Sequence, residues 1–232
     1  MAKGMMDPRG EQELGLNIDG TMIDVKVGCE DLGFCVHENL IRSHSGFFEA
    51  ALSKEWAENV ERLVKLPEDR PEVFKAYVQW LYSGRIYSIN DGNLRNYSLL
   101  ARMYALGEKL IDPEFQDRVL DAITASARFR HPGIKRGFPS NKAIGIIYDG
   151  TPSTSPARRL IVDLHVRYGG PEWMSADCDK VHPEFTLDLA TELMKERRTK
   201  GTEGRSYEDL ESGTPCSYHH HAKGRLCVGQ DN

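Results

Sequence analysis

Along the chain, apolar and polar positions first alternate. Met22, Ile23, Val25 and Val27 form a β-rich run that stops at Gly28, and Phe34-Cys35-Val36 forms a second after the turn residues Glu30, Asp31 and Gly33. Leu40, Ile41, Phe47, Phe48, Ala51 and Leu52 then recur at helical spacing around a small-residue break from Ser43 to Gly46. That break predicts two short helices joined at Ser45 rather than one long one. Val60 to Leu66 returns to alternation and ends at Pro67, as a strand does. The clearest helical stripe follows. Pro71 suits a first helical position, Val73, Phe74, Tyr77, Val78 and Leu81 share one face, and Gly84 predicts a left-handed cap. After an Asp91-Gly92 turn, Leu99, Met103, Leu106 and Leu110 repeat the helical period. Asp112-Pro113 opens another helix, with Asp112 as N-cap and Phe115, Val119 and Ile123 inside.

The density of this patterning divides the chain. Residues 1–20 are polar, with one weak apolar alternation at Leu14, Leu16 and Ile18, and read as a flexible N-terminus. Residues 21–126 hold the elements above. Residues 127–138 read as a basic connector rich in Arg, Gly and Pro, and 139–198 as a helical extension. In that extension Ala143, Ile144, Ile147 and Tyr148 make a first stripe. Ser155-Pro156 caps a second, with Leu160, Ile161, Leu164 and Tyr168 inward and Arg158-Arg159 outward. A third starts at His182-Pro183 and carries Phe185, Leu189 and Leu193. From 199 to 232 there is no apolar period, and this part reads as a disordered tail.

Composition narrows the function. The chain is 40% hydrophobic and 28% charged, and its 30 Lys+Arg against 35 Asp+Glu give a net charge of −5. Wrapping nucleic acid or lying on an anionic membrane wants concentrated positive charge, so nucleic acid and membrane are not the expected partners. No run approaches the roughly 18 apolar residues of a membrane span. The first twenty residues lack the apolar segment of a signal peptide, and five unevenly spaced cysteines make no disulfide framework, so an intracellular place, cytoplasmic or nuclear, is expected.

Six motifs in order carry a resemblance. Asp24-Val25-x-Val27, Val36-His37-x-x-Leu40-Ile41-x-x-x-Ser45-x-Phe47-Phe48, Val64-x-Leu66-Pro67, Val73-Phe74 with Leu81-Tyr82-x-Gly84, Leu100-x-x-x-Tyr104-x-Leu106 and Leu120-x-x-Ile123 resemble the BTB/POZ domain over about residues 20–126. The run from Tyr77 to Ile86 is most similar to short single-BTB proteins common in fungi. The resemblance implies an α+β fold, a helical cluster flanked by a short three-stranded sheet, and a module that binds proteins without catalysis. It also implies where binding would occur. In relatives that act as substrate adaptors for a cullin-3 type ubiquitin ligase, a φ-x-E motif follows the second helix. Here it falls on Trp56-Ala57-Glu58, in a register set by Phe48 and Leu52. Leu52, Trp56 and Glu58 are therefore the expected partner-binding residues, with cullin-3 and a substrate protein as partners. An oligomerising transcriptional or scaffold protein is the alternative. The charged pocket of transcriptional relatives pairs a buried Asp in the first strand with a basic residue after the histidine; Asp24 matches, but Glu38 stands at the second position.

Other chemistry is weakly marked. His37 reads as a packing and hydrogen-bonding residue, and His44 and Ser45, adjacent in the chain, would point apart. No G-x-S-x-G, P-loop, G-x-G-x-x-G or H-E-x-x-H occurs, so neither catalytic residues nor a cofactor are expected. Cys178-x-x-x-His182 and Cys216-x-x-His219, with His220, His221 and Cys227, lie too far apart for a zinc site, and no metal is expected. Arg128, Arg130, Lys135, Arg136 and Lys142, interleaved with Phe129 and Phe138, are sparse enough to read as a solvated connector.

Overall fold

The structure is a computed structural model that describes residues 16–53, 62–90, 94–128, 137–170, 173 and 181–199. Strand β1 (Met22–Val27) lies between β2 (Leu32–His37), antiparallel to it, and β3 (Leu63–Leu66), parallel to it. Its alternation decides the register: Ile23, Val25 and Val27 are buried, while Met22 and Asp24 face out opposite His37 and Cys35. The expected three-stranded sheet is present, and the expected start of its third strand at Val60 lies outside the described residues.

Between β2 and β3 run the two short helices, α1 (Glu38–His44) and α2 (Gly46–Ala51). The break at Ser45 is a cap. The Ser45 hydroxyl accepts from the Phe48 N–H at 3.2 Å and donates to the Leu110 carbonyl at 2.7 Å, and the side chain is buried. Helix α3 (Pro71–Ser83) starts on its proline and ends at Gly84, whose φ of 64° is the left-handed cap its position predicted. Two short antiparallel strands, β4 (Ile89–Asn90) and β5 (Leu94–Arg95), were not expected from the sequence, and the Asp91-Gly92 turn expected there lies outside the described residues. Helices α4 (Tyr97–Leu110) and α5 (Pro113–Arg128) follow.

Helix α3 is the spine of the core. Phe74, Tyr77 and Trp80, three residues apart, line one face. Phe74 meets Phe34 of β2 at 5.2 Å and Phe48 of α2 at 6.3 Å between ring centroids. Tyr77 and Trp80 meet Phe115 of α5 at 4.9 and 5.0 Å. Burial of such a ring is worth about 1.5–3 kcal/mol, against roughly 0–1 for an exposed ion pair such as Arg70–Glu72, so this column and not the surface charges ties sheet to helices.

One polar node sits inside it. Asp112 is fully buried; its carboxylate accepts from the Phe115 N–H at 2.9 Å, capping α5 as expected, and from the Tyr77 hydroxyl at 2.9 Å. Burial raises its pKa from 3.8 to about 6, against the pull of those two hydrogen bonds.

Three further helices, α6 (Asn141–Gly150), α7 (Pro156–Tyr168) and α8 (Pro183–Thr199), continue the same core. α6 lies closely along α4: a Cβ built on Gly150 would stand 2.8 Å from that of Ala105, so only glycine permits this approach. Ser155, the cap of α7, donates to the Tyr104 hydroxyl at 3.3 Å. Two expectations fail here. Arg158 points inward, not outward, and is only 5% exposed. The last carbonyls of a helix have no partners within it, and Arg158 supplies them: it donates to the Tyr148 and Thr151 carbonyls at 2.7 and 2.5 Å and to Glu184 of α8 at 2.5 Å, with its guanidinium 4.4 Å from the Tyr148 ring centroid. Leu193, expected inside α8, is 43% exposed, because α8 buries the face of Phe185 and Leu189.

Two predictions follow from these buried polar groups. Arg158→Met strips the α6 carbonyls of their donors and lowers the unfolding free energy by on the order of 2–3 kcal/mol in urea denaturation, whereas Glu184→Gln, at a largely exposed partner, costs under about 1 kcal/mol. Equal costs would refute the capping role. The raised Asp112 pKa means that the folded chain keeps a proton the unfolded chain has released between about pH 6 and 4, so its contribution to stability rises as pH falls through that window. Relative to Asp112→Asn, which keeps a cap but does not titrate, the wild type gains roughly 1 kcal/mol between pH 7 and 5. A pH-independent difference would show that Asp112 is not held near 6.

Candidate functional site

The region singled out by the sequence surrounds the end of α2. That helix is anchored at its start by the Ser45 cap and by the Gly46 N–H, which donates to the Ile111 carbonyl at 3.1 Å. It stops at Leu52, whose N–H still reaches the Phe48 carbonyl at 3.0 Å while its own backbone leaves the helix at φ −107° and ψ 12°. The Leu52 side chain is half-buried and packs on the core. Trp56 and Glu58 lie outside the described residues, in the stretch between Ser53 and Arg62. Of the expected binding residues the structure therefore places Leu52 alone.

Beside the start of α2 stands an apolar side chain that the sequence reading missed. Ile111 is 63% exposed and sits in the left-handed region at φ 54°, an unfavourable conformation for a β-branched residue. It occupies the corner between α4 and α5, and the strain accompanies the tight turn that delivers Asp112 to its cap position. The only signal was its place between the last stripe residue, Leu110, and the capping Asp112.

A charged rim borders α1 and α2. Arg42 donates to Glu49 at 2.8 and 2.9 Å and to Glu38 at 3.0 Å, and Arg62 reaches both Thr21 and Glu38. Burial alone would raise Glu38, but hydrogen bonds from Thr21 and Arg42 and the charges of Arg62 and Arg42 outweigh it and hold its pKa low. The Arg42 hydrogen bonds likewise lower Glu49. Glu38, Glu49 and Arg42 are therefore charged at neutral pH.

The remaining candidates serve structure. His37 Nδ1 lies 2.7 Å from the Tyr82 hydroxyl, which also accepts from the His37 N–H at 3.1 Å, in line with a packing and hydrogen-bonding role. His44 and Ser45 do point apart: His44 packs on Trp80 at 5.0 Å and faces Glu114 at 3.5 Å, while Ser45 is engaged in its cap. Asp24, the match to the buried acidic residue of transcriptional relatives, is exposed and accepts from the Cys35 thiol at 2.7 Å. That hydrogen bond raises the Cys35 pKa, which disfavours the reactive thiolate. His182 faces Asp149 at 3.4 Å and lies against the Tyr148 ring, while its sequence neighbour in the zinc-like pair, Cys178, is outside the described residues. Among the described residues no group of His, Cys, Asp and Glu could hold a metal ion, and no helix is long and apolar enough to cross a membrane. Phe138, assigned above to a solvated connector, stacks instead on Tyr168 at 5.1 Å and meets Trp173 at 4.8 Å. Phe129, Arg130, Lys135 and Arg136 lie outside the described residues.

No curated protein matches the chain. The family model of the BTB/POZ domain matches residues 15–111, from ahead of β1 to the α4–α5 corner, which leaves α5 to α8 beyond it. A mixed sheet with β1 at its centre, two short helices parted at a capping serine and the proline-started, glycine-ended α3 all fall within that match. Residues 15–111 are thus a BTB/POZ domain, and a domain of this family is a protein–protein interaction module.

Proposed function

We propose that the chain is a substrate adaptor for a cullin-3 type ubiquitin ligase, with the end of α2 as its ligase-binding side. The observation that carries this reading is the position of Leu52. It closes α2 within the matched domain, and the Trp56-x-Glu58 pattern follows four residues later. A tryptophan offers large contact area with few rotatable bonds, which is why this residue type is enriched at binding hot spots. A carboxylate two positions on adds orientation and steering. Exposed Ile111, beside the start of the same helix, extends the apolar surface available to a partner.

Full-length chain is expected to capture the N-terminal region of a cullin-3 type scaffold at micromolar concentration. The double variant Trp56→Ala/Glu58→Ala is expected to bind at least tenfold more weakly, as loss of one hot-spot residue is enough to produce. Isothermal titration calorimetry of both proteins reads the difference, with far-UV circular dichroism as the folding control. A wild type that fails to bind at micromolar concentration, or a double variant that binds as the wild type does, refutes the adaptor role.

A further inference from the structure

The last turns of α5 carry two side chains whose hydrogen-bonding groups are buried and unanswered. Thr124 is 3% exposed, and its Oγ1 has no hydrogen-bond partner among the described residues. Arg128, which the sequence grouped with a solvated connector, ends α5 one turn later on the same face. Its Nε and Nη2 are out of solvent and likewise without a partner among the described residues. Neither behaves as its residue type does elsewhere in the chain. Thr151, Thr186 and Thr191 each donate to the carbonyl four residues before. Buried Arg158 has Nε, Nη1 and Nη2 bonded to Thr151, Glu184 and Tyr148. A basic residue in a last turn ordinarily meets the last carbonyls of its helix, and these two nitrogens of Arg128 do not.

Nε and Nη2 form one edge of the guanidinium, and their parallel N–H groups fit two oxygens of a single anion. Arg42 shows that fit in the same protein: its Nε and Nη2 hold the two carboxylate oxygens of Glu49 at 2.8 and 2.9 Å. The sequence around Arg128 supplies no such carboxylate. From Ala122 to Tyr148 there is no Asp or Glu, while Arg130, Lys135, Arg136 and Lys142 add positive charge. Helices α4 and α5 pack on each other across the tight Ile111 corner, so the end of α5 lies toward the start of α4, whose first turn is also without an acidic residue. We propose that the open edge of Arg128 and the Thr124 hydroxyl form a binding site for a tetrahedral oxyanion of the phosphate class. The edge takes two oxygens and the hydroxyl donates to a third, one more than a carboxylate has. A buried cation without a counter-charge is costly, and a bound anion removes that cost where the chain has no acid of its own. Donors closed to solvent suit a small free ion rather than a phosphate carried on a macromolecule. The site lies beyond residues 15–111 and does not rest on the adaptor reading.

Isothermal titration calorimetry of the full chain with inorganic phosphate, at an ionic strength held constant with chloride, is expected to show one site with a millimolar or tighter Kd. Melting followed by circular dichroism under the same conditions is expected to give a higher Tm in phosphate than in chloride. Thr124→Val keeps the shape of the side chain and removes its hydroxyl. It is expected to leave the phosphate-free chain at least as stable as the wild type, since a buried hydroxyl without a partner is lost, and to weaken phosphate binding about tenfold. Arg128→Lys keeps the charge without the two-pronged edge and is expected to weaken binding by at least as much. A wild type that binds no phosphate, or that binds acetate equally well, overturns the proposal. Binding that either variant retains at wild-type strength also overturns it and marks an adventitious ion only. A Thr124→Val chain that is less stable than the wild type without phosphate does the same, because the hydroxyl then serves the fold.

Discussion

The buried carboxylate of Asp112 is the constraint on which the arrangement of the core depends. Hydrophobic burial is non-directional and would let the aromatic rings around Tyr77 settle in several ways. A buried carboxylate would not, because it is tolerated only where donors meet it. Its donors come from two elements, the Phe115 N–H at the start of α5 and the Tyr77 hydroxyl at the middle of α3. To bring it there, the chain turns through Ile111 in a left-handed conformation, and the Ile111 and Leu110 carbonyls exposed by that turn take the Gly46 N–H and the Ser45 hydroxyl. The starts of α2 and α5, the end of α4 and the face of α3 thus meet at one node. The orientation of α2 follows from it.

A second consequence runs toward the C-terminus. Helix α4 is buried on more than one side: Leu100, Met103 and Leu110 are fully buried, and α6 lies along α4 at the glycine contact of Gly150. The Tyr104 hydroxyl, whose pKa burial pushes up to about 12, accepts from Ser155, so the cap of α7 is tied to the helix that closes the matched domain. The core therefore runs without interruption from Ile23 to Leu189. Arg158 plays in this half the part that Asp112 plays in the other. Each is a buried charged group whose partners come from several elements, and each fixes positions that apolar packing alone leaves free.

What the sequence showed and what it hid divide along the same line. Local rules were legible: alternation in β1, the serine break after His44, proline at the start and glycine at the end of α3, aspartate before Pro113. Each reads a property of a few neighbouring residues. Arg158 was misplaced because, beside Arg159 on a helix, its sequence context is that of a solvated charge; the reason for its burial, the open carbonyls of Tyr148 and Thr151, lies on another helix. Phe138 was misread for the same reason, since its partners Tyr168 and Trp173 are some thirty residues on. Leu193 was placed inside because it continues the Phe185 and Leu189 spacing, yet α8 is covered over only part of its length. At the candidate site, Leu52 was legible from the helical period. Ile111 was not, because its exposure is imposed by Asp112.

The use of the histidines bears on what kind of surface the chain offers. Each of the four histidines among the described residues is committed to packing or a hydrogen bond: His37 to Tyr82, His44 to Trp80 and Glu114, His165 to the Ile161 carbonyl, His182 to Asp149 and Tyr148. Burial lowers the pKa of His165 and keeps its ring neutral, as suits a side chain enclosed by Trp173 and Phe185. Cys35 is likewise held as a thiol by Asp24. The four described histidines and Cys35 are thus engaged within the fold. Solvent meets apolar side chains on helices and a helix corner, Ile111, Leu187 and Met194, as well as ion pairs such as Arg42 with Glu38 and Glu49. Apolar anchors beside a charged rim are the arrangement by which one protein surface recognises another, with area supplying affinity and charge supplying orientation.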